Sequence, residues 1–211
     1  DTPQDAARAL RYGAKGIGLC RTERMFNAAD RLPIVVDMIV AETPEDRRAA
    51  LDRLLPIQRA DFVGIFRGMA PHPVTIRLLD PPIHEFLPTE RQLEDDIARL
   101  HDLRGAARGM EVLTEAARFA PDTLIPATLR DFGETRLIDS IIARKEAILR
   151  KARALREVNP MLGHRGVRLG ITYPEIYTMQ IRAVLEAAAD CVRSGVEVHP
   201  EIMVPQVCTA Q

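Results

Sequence analysis

Residues Pro73 to Pro88 read PVTIRLLDPPIHEFLP. Val74, Thr75 and Ile76 are β-branched and largely apolar, the composition of a buried strand. Arg77 interrupts the run and Asp80 closes it. Pro81 and Pro82 prevent either helix or strand from continuing. An arginine in a buried strand is costly unless it is paired or meets an anionic ligand. Two readings therefore stand: a structural Arg77–Asp80 ion pair at the strand end, or part of an anion site.

Gly16 to Glu23, GIGLCRTE, repeats the design. A short apolar strand again ends in arginine, hydroxyl and carboxylate. Two strands that each deliver an arginine near the C-terminal end suggest a shared anion site, placed where parallel α/β folds put ligands. The planar guanidinium fork suits phosphate or carboxylate.

Outward from these two strands the pattern is mostly helical. Thr2 and Pro3 predict a first helix closed by Gly13. The chain is then read as a strand over Ile17–Cys20, followed by a loop towards Pro33. Thr43-Pro44 opens a second helical region, in which Pro56 is expected to break or kink the helix. Phe62, Ile65, Phe66 and Met69 form a stripe expected in the core. Thr89-Glu90-Arg91-Gln92 is a capping box. Gly105 and Gly109 are expected to weaken the helix it opens, and Glu111–Phe119 to form another. Pro121 and Pro126 bracket a loop. Leu137 to Leu155 mark a long amphipathic helix, stopped by Asn159-Pro160, with a solvated charged face. Leu162 to Arg168 is read as a loop entering a third strand. Thr172-x-x-Glu175 is read as a capping box. Ile176, Met179, Val184, Leu185, Ala188 and Val192 line the following helix, which Gly195 closes. Ile202-Met203-Val204 is the fourth strand. Alternating strands and helices imply parallel βαβ units.

Composition bounds the function. The chain has 211 residues, 46% of them hydrophobic and 28% charged, with a net charge of −1. That balance gives no global case for nucleic acid or a membrane surface. With no Trp and 4% aromatic residues, a base-stacking surface is disfavoured. No apolar run could span a bilayer and no signal peptide is expected. Cys20, Cys191 and Cys208 lack metal-type or disulfide-framework spacing, which favours a reducing cytoplasm. The first residues start at a helix cap and the last follow a strand-like segment, so the chain is expected to be a piece of a longer one.

The segments GIGLCRTERMF, QRADFVGIFRGM, TIRLLDPPIHEFLP, NPMLGHRGVRLGITYPEIY and PEIMVPQV occur in this order. Together they resemble the pyruvate phosphate dikinase family, in its phosphoenolpyruvate/pyruvate-binding domain. The resemblance is weakest over about 103–154. Phosphoenolpyruvate synthase and the sugar phosphotransferase enzyme I share the G-x-G-L-x-R-x-E theme, but RLLDPPIHEFLP looks like the dikinase version. The resemblance implies an α/β fold: a partial (β/α)8 TIM barrel of about the first four strands, with a helical insertion at about 89–158.

It also implies roles. Arg21 and Arg77 match arginines that hold the phosphoryl group and substrate oxygens. Asp80 matches an active-site carboxylate expected to orient Arg77 or a neighbour. Arg165 matches a position near the same pocket. Glu23, Asn159 and Arg168 are expected to be structural partners. His84 and His164 are not expected to carry phosphate, because the family's phosphohistidine lies on a separate domain. In the family, Mg2+ is bound by a Glu and an Asp on later strands, and a Cys on the last barrel segment protonates the enolate; neither falls within this chain. The implied partners are pyruvate or phosphoenolpyruvate, and the phosphohistidine and nucleotide-binding domains of the parent chain. A homo-oligomer is expected, with no nucleic acid and no membrane. The chain alone is expected to be inactive. The rivals are a phosphoenolpyruvate synthase-like enzyme and a truncated product serving as a binding or assembly module.

Overall fold

The computed structural model describes residues 1–117, 135–156, 159 and 163–208. They form two compact units, one from Asp1–Phe86 with Glu157–Gln211 and one from Leu87–Arg156.

The first unit is built on three parallel strands. They are β1 (Ile17–Arg21), β2 (Pro73–Arg77) and β3 (His199–Met203), in the order β1-β2-β3. β2 and β3 pair in unbroken register from Pro73↔His199 to Arg77↔Met203. The β1–β2 register shifts between Ile17 and Cys20 and resumes with Cys20↔Ile76 and Arg21↔Arg77. Thr75 and Glu201, opposite each other in the β2–β3 ladder, are joined by a 2.6 Å hydrogen bond from the hydroxyl to the carboxylate.

Parallel neighbours require crossovers, and helices supply them. α1 (Pro3–Arg11) precedes β1; α2 (Thr22–Phe26), α3 (Leu32–Val40) and α4 (Pro44–Met69) lie between β1 and β2. Thr2 and Thr43 cap α1 and α4 through their hydroxyls, each accepting a 3.1 Å bond from the N–H three residues on. α4 packs against α1 and α3. Of the expected break or kink at Pro56, the break does not occur: the helix is continuous through it. Leu51, Leu54, Phe62, Ile65, Phe66 and Met69 are buried along it, and that packing outweighs one lost hydrogen bond. α3 begins beside Pro33, where the sequence pattern gives only a loop. It is apolar nearly all round, with Val35, Val36, Met38 and Ile39 buried, so it shows no amphipathic period.

Where a third strand is expected from the sequence, the chain forms the short helix α7 (Val167–Thr172). β1 and β3 already occupy both edges of β2, and the short helix buries Leu169 while leaving Ile171 exposed. A short apolar run is compatible with either state. Thr172 lies inside this helix and bonds His164 and the Arg168 carbonyl, so it caps nothing. The next helix, α8 (Pro174–Arg193), has Tyr173 as its N-cap residue. Glu175 pairs with Arg47 on α4 at 3.0 Å, and the Arg47 guanidinium also stacks 4.3 Å over Tyr173. Leu185 and Val192 on α8 are exposed, whereas Ala183, Ala187 and Cys191 are buried. The core joins α4 and α8 to the sheet: Phe62, Phe66, Val74, Ile76, Val184 and Ala187 share one cluster. Gly13 and Gly195, expected to close α1 and α8, have φ of 89° and 77°.

The second unit consists of α5 (Glu90–Ala117) and α6 (Arg136–Ala154), packed on each other. The Thr89–Gln92 capping box forms in both directions. α5 continues through Gly105 and Gly109, so the two helices expected there are one. Arg104–Asp139 and Lys145–Asp96 tie the pair at 3.0 and 2.7 Å. α6 ends at Ala154, before the Asn159-Pro160 stop. The loop bracketed by Pro121 and Pro126 lies outside the described residues. No helix among the described residues is long and apolar enough to cross a membrane.

Candidate active site

The C-terminal ends of β1 and β2 open into a cleft of about 450 Å³, in which Arg21, Arg77, Asp80 and Arg165 all take part in the lining. Parallel pairing brings this about. Arg21 and Arg77 are register partners at the last residues of adjacent strands. Thr22, fully buried directly after Arg21, donates its hydroxyl proton to the Arg77 carbonyl at 3.0 Å and ties the two strand ends together.

Asp80 is the hub. It is 5% exposed. Its Oδ2 lies 2.9 Å from Arg77 Nη1 and accepts a 2.9 Å bond from Arg165 Nη2. Its carbonyl accepts from the Gly166 N–H at 3.0 Å and from Arg165 Nε at 3.3 Å. Gly166 has a φ of 56°, and a Cβ there would come within 2.9 Å of Gln206 Oε1. This backbone conformation suits glycine, and it sets Arg165 beside Asp80. The Val167 N–H then binds the Pro205 carbonyl at 3.0 Å.

The loop carrying Asp80 is fixed from beneath by α8. Gln180, wholly buried, accepts the Leu79 N–H at 2.8 Å, and the Tyr177 hydroxyl donates to the Leu79 carbonyl at 2.9 Å. Burial, and then the Asp80 carboxylate, push the Tyr177 phenol up beyond its ordinary range, so it stays a proton donor. Sequence reasoning missed both residues. Two polar positions on the apolar face of a helix were the available signal.

Arg77 also donates through Nη2 to Glu23 at the start of α2. The structural Arg77–Asp80 pair and the cleft therefore coexist. Glu23 Oε2, Asp80 Oδ1 and Arg77 Nε are buried and without hydrogen-bond partners among the described residues. Arg24, also unforeseen, reaches the cleft, which Glu85 lines as well. Arg168 instead binds the Gly163 carbonyl at 2.7 Å. None of His84, His164 and Asn159 lines the cleft.

Cys20 lies next to Arg21 but is 1% exposed, and burial pushes its thiol up to about 11. A protonated thiol is a poor nucleophile. The cleft carboxylates Glu23 and Asp80 are engaged by arginines, and no group of three or more His, Cys, Asp or Glu side chains suited to a metal occurs among the described residues. These residues do not fit a magnesium ligand set.

All of the chain, residues 1–211, matches the family described as "PEP-utilising enzyme, PEP-binding domain". The chain belongs to this family. Within it, the chain is 47% identical over 207 residues to the pyruvate, phosphate dikinase of Entamoeba histolytica, covering 98% of this chain and 20% of the relative. It is 49% identical over 212 residues to the chloroplastic pyruvate, phosphate dikinase 1 of Oryza sativa subsp. japonica, covering 100% and 18%. Against the Giardia intestinalis pyruvate, phosphate dikinase it is 45% identical over 205 residues, covering 97% and 19%. The chain thus spans about a fifth of the length of the curated relatives it matches.

Proposed function

We propose that this chain supplies part of the site at which a pyruvate phosphate dikinase moves a phosphoryl group between phosphohistidine and pyruvate. The parent reaction converts ATP, phosphate and pyruvate to AMP, diphosphate and phosphoenolpyruvate. The observation that carries the reading is the register pairing of Arg21 with Arg77 at the mouth of one cleft that Arg165 also lines. Three guanidiniums converging at strand C-termini are suited to an anion bearing both phosphate and carboxylate.

The residues divide the work. Arg21 and Arg77 neutralise charge on the phosphoryl group as it passes between the histidine and the enolate oxygen. Arg165 binds substrate oxygen. Asp80 orients Arg77 and Arg165, being held by both. Magnesium takes its ligands from the rest of the parent protein, as do the phosphohistidine, the nucleotide site and the proton donor, so the isolated chain does not turn over. We read the sheet as an arc of a (β/α)8 barrel: its strands are parallel, helices connect them and charged groups gather at their C-terminal ends. The proposed compartment is the cytoplasm, on the strength of three cysteines outside any disulfide.

The test is a coupled assay of the full-length parent. Phosphoenolpyruvate formation from pyruvate should require ATP and phosphate together. Formation from ATP and pyruvate without added phosphate would favour the synthase-like rival.

A further inference from the structure

We propose that Glu23 is a positioning residue for the phosphoryl-transfer step, setting the direction of the Arg77 guanidinium; the proposal rests on the functional reading above. Arg77 is gripped at both terminal nitrogens, Nη2 by Glu23 from the start of α2 and Nη1 by Asp80 from the loop after β2. Two anchors from different elements fix the plane of a fork, which one anchor leaves free to turn. The remaining terminal hydrogens are left to meet an anion in the cleft that Arg77 lines.

Asp80 meets the fork only at Nη1. Its Oδ2 is shared with Arg165. Without Glu23, Nη2 loses its anchor and the fork is held at Nη1 alone. The backbone places Glu23 well to act on Arg77, since it follows Thr22, whose hydroxyl ties β1 to the Arg77 carbonyl. The side chain and the backbone of Arg77 are therefore both held by the two residues after Arg21.

This role makes a kinetic prediction that a merely structural role does not. Removing the Glu23 charge leaves the cleft more positive, so it should bind an anionic substrate at least as well. It also misdirects the cation that must meet the migrating phosphoryl group. In the full-length parent enzyme, Glu23→Gln should lower kcat of the pyruvate–phosphoenolpyruvate half-reaction at least tenfold, with KM for phosphoenolpyruvate unchanged or lower. In an Arg77→Lys background, which lacks the fork, the same substitution should change kcat less than about threefold. Glu23→Asp, which keeps the charge but shortens the reach, should show the same dependence on background and serves where Glu23→Gln does not fold. A tenfold loss in both backgrounds, a rise in KM at constant kcat, or no effect at all would overturn the assignment. Full pyruvate exchange in Arg77→Lys itself would remove the functional reading, and the Glu23 assignment with it.

Discussion

Arg21 and Arg77 end adjacent parallel strands as direct register partners, and Arg77 is held by carboxylates from two elements. Like charges on neighbouring strands repel unless something intervenes. Glu23 and Asp80 intervene on the Arg77 side. The two arginines should therefore differ sharply in what they do for stability. Arg21→Met should change unfolding free energy by less than about 0.5 kcal/mol. Arg77→Met leaves the half-buried Glu23 without its arginine and should cost more, on the order of 1–3 kcal/mol. Urea unfolding of the purified variants compares them, and equal costs would mean that Arg77 is not the paired member.

The loop bearing Asp80 should depend on α8. Gln180→Leu removes the acceptor of the buried Leu79 N–H, and Tyr177→Phe removes the donor to its carbonyl. Each leaves a backbone group unsatisfied, at a cost of about 1–3 kcal/mol. Hydrogen exchange at Leu79 should accelerate in Gln180→Leu. An unchanged rate would mean that the glutamine is dispensable to the loop.

Cys20 makes a pH-dependent contribution. Burial raises its thiol from 9.0 to about 11, so the neutral form belongs to the folded state. The contribution is complete below pH 9 and lost as pH rises through about 11. Wild type should lose on the order of 3 kcal/mol relative to Cys20→Ala across that window. At neutral pH a thiol reagent should label the exposed Cys208 well before Cys20 or Cys191. Early labelling of Cys20 would show that the strand end opens readily.

β3 carries Ile202 and Met203, with Val204 and Val207 just beyond, all partly exposed. Among the described residues it pairs only with β2. An apolar strand with an open edge is a template for another chain. The purified chain should therefore self-associate, and Met203→Lys should reduce it. Light scattering over a concentration series would show this as a rising mass; a constant monomer mass would mean that the edge is protected.

The strand-end arginines are legible in sequence because each breaks an apolar run, and charge in such a setting is rarely idle. The caps at Thr2, Thr43 and Thr89 are legible because hydroxyl, proline and carboxylate spacing is local chemistry. α3 is not, since a helix buried on most sides shows no period. The helical state of Val167–Thr172 is not legible locally, since so short an apolar run suits either state. Glu23 is visible in sequence only as a neighbour of Arg21; its partner is Arg77, 54 residues away. Gln180 and Tyr177 escape notice because they sit within an otherwise apolar helix face. Local signals thus mark the strand ends, and long-range pairing makes the connections between them.

The account rests on Arg77 acting at the pyruvate half-site. Arg77→Lys keeps a cation between Glu23 and Asp80 but loses the planar fork. In the full-length parent enzyme, isotope exchange between pyruvate and phosphoenolpyruvate should fall by about a hundredfold or more, the usual scale for a lost transition-state contact. Exchange between ATP and AMP in the nucleotide half-reaction should stay within about twofold of wild type, because that chemistry is proposed to lie elsewhere in the parent. Equal damage to both exchanges, or none to the first, would contradict the assignment of this cleft to phosphoryl transfer.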